Sequence, residues 1–394
     1  MNNPFKPRIH AVVTILITLG LAACGGGGDG SSAPPAAVTP APSPAPTPTA
    51  TPLAVEATSY ANAKGLNIDA QKLPYPTYSV LARGYADFFQ RGQLDLFVAH
   101  LTYDASKPIT QATLGTFEFW KKQADGTYVK DTTLLADTTG CLHPRKAAIA
   151  DFNEDGKPDV FVACHGYDAA PFPGEKSAAV LSQPDGTYKT SFINYVAFAH
   201  SAAAADLNGD GHIDVVITDP YRDNTGHVPV VLIGDGKGNF TVDTTILPTI
   251  NPGTQIYSME ATDVNGDGKV DLMFAGGDDG AGDPAQAAPP TIYLNDGSGT
   301  FAHVTPKVLP AMPGTHGIDL VLVNGKLYVN RTSSQAADFY KTRVLQRIDL
   351  ATNASDIVVN DVPTNATPWI EWYVPLSGKL ISDNVDNPFS YTLP

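Results

Sequence analysis

The sequence predicts an all-β fold assembled from repeating units of four short strands. Three observations carry that expectation. An acidic nine-residue loop recurs three times, and each copy runs straight into an apolar stretch: Asp151 to Asp159 before Val160, Phe161 and Val162; Asp206 to Asp214 before Val215, Val216 and Ile217; Asp263 to Asp271 before Leu272, Met273 and Phe274. A second signature follows the next apolar run of each unit, a DG turn with an aromatic on the returning strand: DGTY at Asp125 to Tyr128 and Asp185 to Tyr188, DGKGNF at Asp235 to Phe240, DGSGTF at Asp296 to Phe301. The loops begin at 151, 206 and 263, intervals of 55 and 57 residues, and helical periodicity is nearly absent. Stacked units of this size bury each sheet between its neighbours, which is the plan of a β-propeller.

Each unit holds a strand before the acidic loop, a strand after it, and a hairpin pair around the DG turn. A degenerate copy stands 64 residues before the first loop: Asp87 and Asp95 keep positions one and nine and Gly92 keeps position six, but Phe89 and Arg91 replace the central ligands. The Arg91 guanidinium is expected to stand in for a cation there. Beyond Ala311 the rhythm continues without acidic loops. Ile318 to Val323 and Lys326 to Val329 flank Asn324-Gly325, and Trp369 to Leu376 and Lys379 to Ser382 flank Ser377-Gly378. Units centred near 80, 145, 200, 256, 316 and 368 make six blades, with seven as the alternative. The last runs out of chain at Pro394, so the segment after Leu53 is expected to supply its missing strand.

The acidic loops carry a specific chemistry. Side-chain oxygens recur at positions one, three, five and nine: Asp151, Asn153, Asp155 and Asp159; Asp206, Asn208, Asp210 and Asp214; Asp263, Asn265, Asp267 and Asp271. Three carboxylates in one short loop repel one another unless a hard cation lies between them. Alternate side chains, a backbone carbonyl from Lys157, His212 or Lys269, and a closing carboxylate make an oxygen cage suited to Ca2+. Glycine at position six (Gly156, Gly211, Gly268) supplies the left-handed backbone that the loop needs. A polar hairpin turn would use the same residue types, but three copies with the same ninth-position Asp favour three structural calcium sites. The closing acid at position nine and the strand-like run behind it separate the loop from an EF-hand.

With these DxNxDGxxD loops before hydrophobic strands, the chain resembles the FG-GAP/VCBS repeats, the units of integrin alpha-subunit propellers and of many bacterial surface proteins. The resemblance covers about 80 to 305 well and 305 to 394 by rhythm. It implies the propeller and the calcium sites and is nearly silent on the ligand.

Residues 1–23 read as a secretion signal: Lys6 and Arg8 precede an apolar segment from about Ile9 to Ala23 that is short for a membrane span. Leu21, Ala22, Ala23 and Cys24 resemble the lipobox of bacterial lipoproteins, which implies cleavage before Cys24 and its acylation; an ordinary signal with an incidental cysteine is the alternative. Gly25 after that cysteine points to the outer membrane, at the cell surface or the periplasmic face. Residues 24–52 are a Gly, Ala, Pro, Ser and Thr linker, and 53–394 the propeller domain.

In such a blade the strand before the acidic loop is innermost, so its start and the end of the next strand share the rim opposite the calcium loops. His143, His200 and His316 precede inner strands and His100 and His165 follow second strands, which places five of the nine histidines on one rim. Arg145, Tyr167, Asp168, Glu175, Asp219, Tyr221, Arg222, Asp278 and Asp279 map nearby. From these, His143, Arg145, His165, Tyr167, Asp168, Glu175, His200, Tyr221, Arg222 and His316 form a candidate ligand site, the stretch from His165 to Glu175 being its densest part. No HxH or HExxH spacing points to a transition metal. Cys141 and Cys164 map to the same rim of one blade and form a candidate disulfide, two buried thiols being the alternative.

The formal net charge is −15, and it falls by two more once Lys6 and Arg8 leave with the signal, which excludes nucleic acid as a partner. No GxSxG elbow or recognisable carboxylate pair is present. The resulting expectation is a monomeric, lipid-anchored binding or adhesion module for a glycan or an extracellular or periplasmic protein, and not an enzyme. The alternative is an exported carbohydrate-active hydrolase or lyase using the histidine-rich rim.

Overall fold

The computed structural model describes residues 51–55, 58–59, 80–102, 107–220, 229–251, 253–335, 338–339, 341–362, 373–376, 378–382 and 389–394. The signal, Cys24 and the linker to residue 50 lie outside them. Among the described residues, no helix is long and apolar enough to cross a membrane.

A short strand β1 (Thr58–Ser59) precedes the repeats. The first blade is β2 (Val80–Ala86), β3 (Asp95–His100), β4 (Thr116–Lys122) and β5 (Tyr128–Asp131). The second is β6 (Pro144–Ala150), β7 (Asp159–Cys164), β8 (Glu175–Ser182) and β9 (Tyr188–Ala197). The third is β10 (Ala202–Ala205), β11 (Asp214–Ile217), β12 (Val230–Gly234) and β13 (Phe240–Asp243). The fourth is β14 (Ile256–Thr262), β15 (Asp271–Gly276), β16 (Thr291–Tyr293) and β17 (Lys307–Val308). The fifth is β18 (Thr315–Val323), β19 (Lys326–Ser333), β20 (Arg343–Asp349) and β21 (Ser355–Asp361). A three-stranded sheet follows, β22 (Tyr373–Leu376), β23 (Lys379–Ser382) and β24 (Ser390–Thr392).

Within every sheet the strands pair antiparallel in chain order, and the inner strands β2, β6, β10, β14, β18 and β22 succeed one another side by side. This is an all-β propeller of four-stranded antiparallel blades. Among the described residues there are five such blades, which corrects the expected six or seven. Among the described residues the C-terminal unit contributes three strands, and residues 60–79, within the segment expected to complete it, lie outside the described residues. β1 adds to the inner edge of the second blade, Thr58 opposite Ile149 and Ser59 opposite Ala148.

The core lies between blades, as burial of both faces of each sheet requires. Phe97, Phe117 and Phe119 of the first blade meet Ile149, Val160, Val162 and Tyr188 of the second. Phe161 and Ala163 of the second meet Ala202, Val215 and Leu232 of the third, and the same scheme recurs around the ring. Inner strands crowd together, which explains their small residues. A Cβ on Gly84 of β2 would sit 2.6 Å from Ile149 Cδ1 of β6.

Candidate functional site

The start of β6 and the end of β7 are tied together at the rim. Cys141 and Cys164 form a disulfide with a Cα–Cα distance of 6.1 Å, and the His165 backbone N–H donates to the His143 carbonyl at 3.0 Å. The two imidazoles therefore lie side by side, ring centroids 3.7 Å apart. His165 stacks on Phe198 at 4.1 Å and approaches His200 at 5.7 Å. Arg145 Nη2 stands 3.1 Å from His200 Nε2. The row continues from His200 to Tyr257, from Tyr257 to His316 (both 4.9 Å), and from His316 to Phe339 at 5.4 Å. Side chains from the second to the fifth blade thus join into one arc.

All four histidines of the arc are buried, as is Arg145. Burial holds His143, His165 and His200 well below the usual imidazole range, and the Arg145 charge pushes each the same way. His316 is lowered to about 4, again chiefly by burial. These rings are neutral at physiological pH. Because a carbonyl can only accept, the His165 Nδ1–H donates to the Gly166 oxygen (3.0 Å), which leaves Nε2 with its lone pair.

The rim acids divide in two. Glu175 accepts the backbone N–H groups of Leu142, His143 and Gly166, so its carboxylate folds the loop. Asp219 accepts from Phe198, Asp278 pairs with Arg331 at 2.9 Å, and Asp279 accepts from Gly314. Asp168 instead has an exposed side chain, whose carboxyl is raised by partial desolvation, with Arg145 opposing. His143, His165 and Asp168 offer ligand atoms within 4.8 Å of one another. Tyr167 is buried, and Phe172 packs edge-on against Phe198. His100 does not join the arc; its Nε2 meets Glu118 at 3.2 Å inside the first blade. Tyr221 and Arg222 lie outside the described residues.

Deeper in the ring is a charged group that the sequence reading missed. Lys146 of β6 pairs with Glu260 of β14 and also donates to the Met259 carbonyl at 3.2 Å, all buried. Asp319 of β18 is close enough to feel both charges. Glu260 and Asp319 are isolated charges in inner strands, a signal that was available. Tyr257, Phe198, Phe339 and Arg331 were missed for want of any local pattern.

On the opposite rim the acidic loops have one geometry. The first-position Asp accepts N–H groups from positions four to six, the third-position Asn accepts from position five, and the fifth-position Asp accepts from position seven, as in Asp206, Asn208 and Asp210. The ninth-position carboxylates, Asp159, Asp214 and Asp271, accept from position two and from the third strand or the residues just after it. Burial first, and then neighbouring loop carboxylates, raise these three. The nearest cations are Lys157 at 3.5 Å from Asp155 and Lys269 at 3.8 Å from Asp267. A donor set of crowded, under-compensated oxygens fits a hard divalent cation. In the degenerate copy Arg91 Nη2 reaches Asp95 at 2.5 Å and supplies that charge covalently.

The chain carries FG-GAP-like repeats, matched at residues 206–274 and 263–325. No curated protein sequence matches it. Solved structures similar in fold include the periplasmic gluconolactonase of Pseudomonas aeruginosa (13% identity, 79% of this chain and 80% of that one, TM-score 0.48). The Sqt1 protein of Saccharomyces cerevisiae is similar at 13% identity over 76% and 69% of the two chains, TM-score 0.40. A rhamnogalacturonan lyase of Bacillus licheniformis is similar at 13% identity over 80% and 72%, TM-score 0.37. The expectation that the chain is not an enzyme is corrected here: the solved structures it is similar to include a gluconolactonase and a rhamnogalacturonan lyase.

Proposed function

We propose that the chain is an exported carbohydrate-active enzyme whose reaction centre is the rim around Arg145. The observation that carries this reading is the placement of a buried guanidinium 3.1 Å from a buried imidazole, with two further imidazoles beside them and one exposed carboxylate. A buried cation attracts an anionic group strongly, because little water competes for it.

Of the two reaction classes, hydrolase and lyase, the lyase fits the side chains better. Hydrolysis by paired carboxylates needs two free acids. Here Glu175 is committed to three backbone N–H groups and Asp168 lies in the field of Arg145, so no such pair is offered. Elimination from a uronate needs a cation on the substrate carboxylate and a base for the neighbouring carbon. The base takes the proton from C5, that electron pair forms the C4–C5 double bond, and the C4–O bond breaks, its oxygen leaving with a proton. Arg145 would hold the carboxylate and an imidazole beside it would take the proton.

Cys24 and the leader support export and lipid anchoring at the outer membrane, and the three acidic loops support structural Ca2+ held by the residues named above. Incubating the full chain in Ca2+ with uronate-containing and neutral polysaccharides tests the reading. Ultraviolet absorbance of an unsaturated product, from the acidic glycans alone and lost in Arg145→Ala, is expected. Absence of product from every acidic glycan, or equal activity in the variant, would overturn it.

A further inference from the structure

We propose that His143, His165 and Asp168 form a site for one divalent transition metal of the zinc type. Their ligand atoms, two nitrogens and a carboxylate oxygen of the second blade, lie within 4.8 Å of one another. Imidazole donors select a borderline metal such as Zn2+ over Ca2+, which takes oxygen. The proposed metal is therefore chemically distinct from the ions suited to the acidic loops on the other rim.

The framework around the three residues is built without a metal. The Cys141–Cys164 disulfide and the backbone bond from His165 to the His143 carbonyl hold the two histidines at a ring separation of 3.7 Å. Glu175 fixes the backbone of both segments by accepting from His143 and Gly166. The His165 Nδ1–H donates to the Gly166 carbonyl at 3.0 Å, so Nε2 is the nitrogen turned to ligation. A ring nitrogen anchored to a carbonyl while the other binds metal is the usual way a ligating histidine is oriented. Stacking on Phe198 holds the ring plane.

Two nitrogens and one oxygen leave a tetrahedral ion one open position, the arrangement of a reactive rather than a purely structural site. Asp168 is the exposed member of the three. Arg145 beside the site weakens cation binding and makes an anion the natural fourth ligand. The neighbouring group of Cys141, Cys164 and Glu175 is no rival, since its sulfurs are joined and its carboxylate is occupied.

The site lies within the rim assigned above to catalysis, and its role in turnover rests on that reading, but binding does not. The test titrates the full chain with Co2+ in excess Ca2+, which keeps the acidic loops filled. Visible ligand-field bands saturating at one equivalent and displaced by Zn2+ are expected. Asp168→Asn, at an exposed position, should lower the affinity at least ~100-fold with unchanged circular dichroism, and His165→Gln should remove the bands. No bands, or bands indifferent to Asp168→Asn, would overturn the site whatever becomes of His165→Gln. Bands without activity on any acidic glycan would retain the metal and overturn the enzyme reading; lyase activity without Co2+ binding would do the reverse.

Discussion

Lys146 and Glu260 are joined by an ion pair between the second and fourth blades, with both side chains withdrawn from solvent. Asp319 of the fifth blade lies in their field, its carboxyl raised by burial, lowered by Lys146 and raised again by Glu260. One cation therefore serves two acids at the middle of the ring.

Lys146→Met should be costly, because it leaves two buried carboxyl groups without their cation. Breaking one side of such a pair costs about 3–5 kcal/mol, whereas replacing both partners by apolar residues is often close to neutral. Urea unfolding should show a large loss for Lys146→Met and a smaller one for Lys146→Met with Glu260→Leu. The sign of the pH effect follows from the raised Asp319 carboxyl: its contribution is present at low pH and is lost as pH rises. The Lys146→Met deficit should therefore be greater at pH 8 than at pH 5.

His316 predicts the opposite dependence. It faces Tyr257, Phe339, Asp279 and the Arg331–Asp278 pair, and its pKa is lowered to about 4, chiefly by burial. In the unfolded chain it protonates near pH 6.5. Above that pH its neutral form costs nothing; between 6.5 and 4 the unfolded state takes up a proton that the folded state refuses. Stability is lost as pH falls through this window, by up to about 3 kcal/mol from this group. His143, His165 and His200 add to the slope. The difference between wild type and His316→Gln, followed by denaturant unfolding from pH 7 to 4, isolates the one residue; a constant difference would refute the assignment.

The acidic loops permit a sharper calcium test than deleting a whole loop. Asp214 accepts from Leu207 and Gly234, so its removal strands buried N–H groups with or without metal. Asp210 is exposed, and Asn in its place can still accept from His212. In Ca2+, Asp210→Asn should lower Tm relative to wild type, and in chelator the two should coincide. Asp214→Ala should be lower in both. Each filled site contributes about 2.7 kcal/mol at a hundredfold excess over Kd.

What the sequence disclosed follows from how local each feature is. Blade rhythm was legible because the ninth-position Asp does a structural job in every copy, Asp95 included, and so recurs where the central oxygens have gone. The pairing of β1 was not: it is two residues long and carries no alternation to show that it would join β6. The histidines could be assigned to a rim from their place before or after a strand. Their partners could not, since Arg145 and His200 are 55 residues apart and Lys146 and Glu260 are 114 apart. His100 satisfies the same positional rule and yet turns to Glu118, because a carboxylate on the adjacent strand is within reach.

The Cys141–Cys164 disulfide links stability to the rim. It closes a loop with a sequence separation of 23, for which chain entropy alone gives about 3 kcal/mol. Cys141→Ser with Cys164→Ser should lose stability of that order in urea unfolding without reductant, and added reductant should bring wild type to the same value. The loss should not be confined to stability, because Cys164 directly precedes His165 and Cys141 lies two residues before His143. If the bridge fixes the spacing of those imidazoles, the double variant at temperatures well below its Tm should lose Co2+ affinity at the rim while keeping the Ca2+ dependence of its melting. Loss of the calcium response as well would mean that the bridge holds the whole blade together, and the rim would then have no separate claim on it.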